Sequence, residues 1–397
     1  MQRRKLTFFT IFGTRPEVIK LFPVLESLRQ SVKARSIIVS TSQHREMIED
    51  LLALFSIKPD HDLNIMTENQ SLIDISTRAL VGLDPLLKRH QPDLVLVQGD
   101  TTTAFIGALS AFYRKIPVGH VEAGLRSFNK MHPYPEEINR KLISTVCDLH
   151  FAPTFQNAGN LQKEGIDPGK IFVTGNTVID SLLNIANKNR NTLSNYLPLE
   201  TLNSNRLILV TAHRRENWGK PLENLCYALR DVVRSHSDVE IIYPVHLNPN
   251  VRKTAFAILT NQERIHILEP LPYEPFIEAM AKAYLIITDS GGVQEEGPSF
   301  HKPILVFRKV TERPEGIATG GVKLIGLERE NVVREASCLL EDSDAYQRMT
   351  SSHNPYGDGN AGQRIVQAIF HYFDQADRPE DFRAESTSNL QRSAPLT

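Results

Sequence analysis

The chain has 397 residues, with 45 Lys and Arg against 46 Asp and Glu, a formal net charge of -1 and 41% hydrophobic residues. This is the make-up of a globular protein long enough for two or three domains, without the basic excess that gathers nucleic acid or an anionic membrane surface. Cys147, Cys226 and Cys338 are too widely spaced for a CxxC pair or a disulfide framework. The apolar stretch after Met1-Gln2-Arg3-Arg4-Lys5 is too short for a signal peptide, and no run of about 18 apolar residues could span a membrane, so a cytoplasmic location is expected.

Short runs of Val, Ile, Leu and Phe predict strands at 6–12, 36–40, 94–98, 118–121 and 150–152, each followed by a turn and a stretch with helical spacing. The rhythm returns at 207–211, 240–245, 265–268, 285–288 and 304–306. Strands that are apolar throughout, rather than alternating, are covered on both faces, so the fold class is α/β, with two Rossmann-like domains built on parallel sheets. A boundary near Gly175-Asn176-Thr177 gives a first domain over 1–175 and a second over 176–358. The Asn-rich segment 184–205 reads as a surface excursion rather than a strand or core helix. After the turn at Asn354-Pro355-Tyr356-Gly357-Asp358-Gly359, an amphipathic helix at 363–373 is expected, with 359–383 returning to the first domain and 384–397 forming a disordered tail.

Both halves end strands in small or polar residues, which is the layout for a ligand at the carboxyl edge of an open sheet. Two such domains facing across a cleft would hold it between them. In Asp289-Ser290-Gly291-Gly292-Val293-Gln294-Glu295-Glu296 the glycines and the free N–H groups of a helix start suit a phosphate or diphosphate, and Glu296 suits sugar hydroxyls. Gly13-Thr14-Arg15-Pro16-Glu17 has the same form, with Arg15 and Lys20 as cations for an anion. Asp100, Glu122 and Glu136 fall at or beyond strand ends, where carboxylates can be driven to different pKa values and used as acid and base. His213 ends a strand where it can donate to a phosphate or move a proton. Each feature has a plainer reading, as a helix cap, a solvated lysine or a structural histidine. Walker A, HExxH and GxSxG patterns are missing, and His120-Val121-Glu122 lacks the Pro-Cys-x-x-Cys partner of a zinc deaminase, so neither metal nor cofactor is expected.

Together with Gln43-His44-Arg45-Glu46-Met47, Gly99-Asp100-Thr101-Thr102-Thr103, His213-Arg214-Arg215-Glu216, Pro244-Val245-His246-Leu247-Asn248-Pro249-Asn250 and Thr311-Glu312-Arg313-Pro314-Glu315, these motifs resemble the bacterial non-hydrolysing UDP-N-acetylglucosamine 2-epimerases, in order from about residue 6 to 373. The resemblance implies a fold of the GT-B glycosyltransferase type and a UDP-sugar substrate, interconverting UDP-GlcNAc and UDP-ManNAc by elimination of UDP and its re-addition. It puts Arg15, Lys20, His213, Phe276, Ser290, Gly291, Gly292, Glu296 and Arg313 around UDP, Asp100, Glu122 and Glu136 near the sugar, and Gln43, Glu46 and His246 at a candidate regulatory site. A homodimer is expected. Leu271, Ala212 and Tyr134 depart from the Gln, Gly and Trp common in the family. A hydrolysing epimerase, a glycosyltransferase of the same fold and a non-catalytic nucleotide-sugar sensor are the competing readings.

Overall fold

The computed structural model describes residues 4–42, 45–67, 70–188, 190–197 and 206–384, with the side chains of 45–47 excepted. The chain divides into two compact units, the first made of Met1–Ser181 with Gly357–Arg383 and the second containing Leu182–Tyr356.

The first unit is a seven-stranded sheet of β1 (Leu6–Phe12), β2 (Ala34–Ser40), β3 (His61–Asp62), β4 (Leu94–Gln98), β5 (Val118–Val121), β6 (Leu149–Ala152) and β7 (Ile171–Val173). Its order is β3-β2-β1-β4-β5-β6-β7 and every pairing is parallel. β4 and β5 are buried at every position, because helices cover both faces of the sheet. On one face Phe9, Ile11, Val95 and Val97 pack with Ile75, Leu83, Ala104 and Ala108 from the helices Leu72–His90 and Thr102–Tyr113. The helix Ala361–Tyr372 lies against Arg15–Gln30 so closely that a Cβ on Gly362 would come within 2.7 Å of the Pro23 carbonyl oxygen.

The second unit holds β8 (Arg206–Thr211), β9 (Val239–Pro244), β10 (Ile265–Leu268), β11 (Leu285–Thr288), β12 (Ile304–Val306) and β13 (Val322–Leu324), in the all-parallel order β10-β9-β8-β11-β12-β13. Its core joins Ile208, Val210 and Ile287 to Leu222, Leu225, Leu229 and Val232 of the helix Lys220–Ser235. In each unit the chain starts mid-sheet, runs outward over three strands, then returns to the other side of the first. β1 beside β4 and β8 beside β11 are therefore the switch points, where the loops part and leave room for a ligand.

Two parallel-sheet α/β units are what the apolar runs predicted. In the segment 184–205 the described residues are largely exposed and form no strand, as expected, but the helix Thr177–Ala186 ends within it, a single 3₁₀ turn forms at Leu193–Asn195, and Leu193 and Leu197 are buried. Asparagine content hid these apolar anchors. Residues 198–205, and the tail beyond Ala384, lie outside the described residues.

Candidate active site

On the first unit three turns leave the carboxyl ends of neighbouring strands. β4 and β5 are in register at Gln98 and Val121, so Gly99-Asp100 and Glu122 emerge side by side. Both Gly99 (φ +72°) and Glu122 (φ +66°) are in the left-handed region. Glycine takes this conformation freely, whereas a glutamate there is held by its surroundings. Those surroundings are polar: Lys20 forms an ion pair with Glu122 Oε1, Gln98 Nε2 donates to Oε2 at 2.5 Å and Asn176 Nδ2 donates to Oε1 at 3.5 Å. Lys20 is thus paired with a carboxylate of the protein rather than simply solvated. His120, fully buried, is pushed down to about 4 by that burial, so it is neutral and its Nε2–H donates to the Gly99 carbonyl at 2.7 Å.

Asp100 is gripped by Arg140, whose Nε donates to Oδ2 at 2.8 Å, while Asn139 Nδ2 donates to the Asp100 carbonyl at 2.8 Å. Arg140 also bonds Glu137 at 3.1 Å, and Glu137, 1% exposed, accepts from the backbone N–H groups of Ser127 and Phe128. Burial works against the Glu137 charge, but these donors and Arg140 outweigh it and hold its carboxyl below the ordinary range. Glu136 opens the same helix, Glu136–Val146, one turn before Arg140, and its Oε2 is buried with no protein donor. Two carboxylates on this edge are therefore held by cations or amides, while the third keeps an oxygen uncommitted. That difference is a basis for unlike acid–base roles.

On the second unit β8 and β11 pair at Thr211 and Thr288, whose hydroxyls meet at 2.6 Å. The fully buried Asp289 accepts from the N–H groups of His213 (3.0 Å) and Arg214 (2.9 Å) and from Asn217 Nδ2 (2.9 Å), so it braces the turn after β8 instead of capping its own helix. His213 stacks on His246, with ring centroids 5.5 Å apart and 20° between planes. Burial first, and then His246 and Arg214, keep its pKa below the ordinary value against the pull of Asp289, so His213 is neutral at pH 7. Ser290 is the N-cap of the helix Gly291–Glu296 without a side-chain cap bond. The Arg313 guanidinium occupies the space beside Gly291, where a Cβ would lie 2.7 Å from its central carbon. Arg313 Nε donates to Glu295 Oε1 at 2.7 Å, and Thr311 Oγ1 donates to Gln294 Oε1 at 2.6 Å, fastening this loop to the glycine turn. Burial opposes the Arg313 charge but is outweighed by Glu295, which keeps it cationic.

The matching family model, UDP-N-acetylglucosamine 2-epimerase, covers residues 26–370. The chain belongs to this family. The Bacillus subtilis UDP-N-acetylglucosamine 2-epimerase is 49% identical, over 96% of this chain and 99% of its own. The Neisseria meningitidis UDP-GlcNAc 2-epimerase, solved bound to UDP-GlcNAc, superposes with a TM-score of 0.82 at 44% identity, covering 92% of this chain and 100% of its own. The Methanocaldococcus jannaschii enzyme in complex with UDP-GlcNAc and UDP gives 0.74 at 33% identity, covering 92% and 100%. The fold is thus of the GT-B type shared by these epimerases, and among the described residues no helix is long and apolar enough to cross a membrane.

Within this epimerase frame the structure gathers Lys20, Asp100 and Glu122 on one sheet edge, and Gly291 with Arg313 on the other. Arg15 is half-buried at the start of its helix, Glu296 is buried at the end of its own, Gly292 is exposed, and Phe276 is half-buried on the helix Tyr273–Lys282. Of the candidate regulatory residues, His246 is stacked on His213, Gln43 lies outside the described residues, and Glu46 is on the helix Arg45–Leu54 with its side chain outside them. The sequence reading passed over Arg140, Gln98 and Asn176 as site residues, and it weighed Asp289 only as a helix cap at the start of the glycine motif. Only Arg140 carried a signal, lying four residues after Glu136 and three after Glu137, a helical spacing that puts it on the same face.

Proposed function

We propose that this chain inverts C2 of a UDP-linked N-acetylhexosamine, converting UDP-GlcNAc reversibly to UDP-ManNAc through anti elimination of UDP and re-addition to the resulting 2-acetamidoglucal. The observation that carries this reading is the convergence of Asp100, Glu122 and the carboxylate-bearing helix of Glu136 on one sheet edge, with Lys20 paired to Glu122 and Arg140 to Asp100. C2 of the sugar has no adjacent carbonyl, so its proton is not acidic by itself. Departure of UDP from C1 allows the C2 proton to leave and a C1–C2 double bond to form. One carboxylate takes that proton, UDP re-adds at C1, and a carboxyl group on the other face returns a proton to C2. Arg15 on the first unit, and His213, Arg313 and the Ser290-Gly291-Gly292 turn on the second, take the diphosphate and stabilise it as it leaves. Reaction in deuterated water should place deuterium at C2 of both epimers without added cofactor. Release of free ManNAc with UDP would favour the hydrolysing reading, and sugar transfer to an acceptor the glycosyltransferase. Unlabelled product, or a requirement for a nicotinamide, would overturn the elimination.

A further inference from the structure

Glu17 stands outside this scheme, yet it is fully buried at the first unit's switch point. Its Oε2 accepts from the Gly13 N–H at 3.0 Å and from Thr14 Oγ1 at 2.8 Å, both in the turn after β1. Its Oε1 accepts from Thr101 Oγ1 at 2.8 Å, in the turn after β4. Thr101 is also the N-cap of Thr102–Tyr113, where its hydroxyl accepts from the Ala104 N–H at 3.0 Å. Burying a carboxylate is costly, and a helix packed on a sheet does not need one at this position. The second unit spends a buried carboxylate in the same place: Asp289, at the end of β11, accepts from the turn after β8. The two residues come from different elements, one from a helix and one from a strand end, and arrive at the same arrangement across β1/β4 and β8/β11.

We propose that Glu17 is a positioning residue, whose carboxylate ties the turn of Gly13 and Thr14 to the turn of Gly99, Asp100 and Thr101 and so fixes Asp100 relative to Arg15. The activity part of this inference rests on the epimerase reading above. Arg15 follows Thr14, and Asp100 precedes Thr101, so any shift of an anchor reaches a functional residue across a single peptide unit. Besides burial, the influences on Glu17 are the hydrogen bonds from Thr14, Thr101 and Gly13, and burial pushes its carboxyl up to about 7. A proton taken up there occupies an acceptor oxygen, so the tie is complete above neutrality and loosens below it.

The test is steady-state kinetics on UDP-GlcNAc. Glu17→Gln offers one acceptor oxygen in place of two, so one side of the tie loses its partner. kcat should fall about tenfold to a hundredfold, the cost of a displaced catalytic group, with KM within about threefold. Thr101→Val should act in the same direction, Thr101→Ser should recover much of that loss, and the double variant Glu17→Gln/Thr101→Val should be no worse than the poorer single one. Wild-type kcat should decline as pH falls through about 7, and Glu17→Gln should lack that limb. Wild-type kcat and an unchanged pH profile in Glu17→Gln would overturn the proposal, as would equal losses in the Val and Ser variants of Thr101. If Glu17→Gln does not fold, the Thr101 pair decides. If the wild type does not turn over UDP-GlcNAc, the epimerase reading fails by itself. The tie is then judged by amide hydrogen exchange at residues 99–101, which should quicken about tenfold in Glu17→Gln or Thr101→Val; unchanged exchange would overturn it.

Discussion

At the scale of single residues, the first unit holds Asp100 and Glu122 through cations or amides, while Glu136 Oε2 is buried with no protein donor. Asp100→Asn, Glu122→Gln and Glu136→Gln keep shape but remove proton transfer, and each should lower kcat about 10²- to 10⁴-fold with little change in UDP affinity; near-normal turnover in all three would remove the acid–base assignment. Glu17 has a separate consequence for stability. Its carboxyl rises from the ordinary 4.5 to about 7 on burial, equivalent to about 3 kcal/mol. Because the folded value is the higher one, this contribution is fully present below pH 4.5 and is lost as pH rises through about 7. Thermal midpoints at pH 5 and pH 8 should therefore differ more in the wild type than in Glu17→Gln, which cannot titrate. An equal difference in both proteins would contradict the burial account.

Among elements, close approach sets the sensitive positions. Gly291 and Gly292 are neighbours in one motif, yet a Cβ on Gly291 would strike the Arg313 guanidinium at 2.7 Å, whereas on Gly292 its nearest contact is Ser290 Oγ at 3.9 Å. Gly291→Ala should displace Arg313 and weaken UDP binding about tenfold by calorimetry, while Gly292→Ala should leave it within about threefold; the reverse order would show that Arg313 takes no part in holding the nucleotide. The contact between Ala361–Tyr372 and Arg15–Gln30 is less forgiving, because the two nearest atoms facing Gly362 are backbone, the Pro23 carbonyl oxygen at 2.7 Å and carbon at 2.8 Å. Gly362→Ala should cost about 1 to 3 kcal/mol of stability, the range for overpacking, seen as a lower thermal midpoint.

For the whole molecule, the groups that the proposed reaction calls on come from both units. Arg15, Lys20 and the three carboxylates belong to the first, and His213, Ser290, Gly291 and Arg313 to the second. UDP should raise the thermal midpoint in proportion to its binding, and both Arg15→Ala and Arg313→Ala should diminish that shift. A shift insensitive to Arg15→Ala would mean that the nucleotide is held by the second unit alone, leaving the first to act on the sugar.

The sequence by itself determined the elements with long apolar runs and the turns at their carboxyl ends. β1, β4, β5, β11 and β12 coincide with the predicted stretches, because strands covered on both faces are rich in apolar residues, and β10, a partly buried edge strand, coincides as well. The sequence did not reveal β3, β7 and β13, which have two or three residues each and lie at sheet edges. The motifs pointed to Asp100, Glu122 and Glu136 through their places after strands. What set the state of each was decided only in three dimensions. Lys20 is 102 residues from Glu122, Arg140 is 40 from Asp100, and Thr101 is 84 from Glu17. Such pairs meet because parallel strands with helical crossovers bring distant turns to one edge, and local sequence carries no record of which turn will stand beside which.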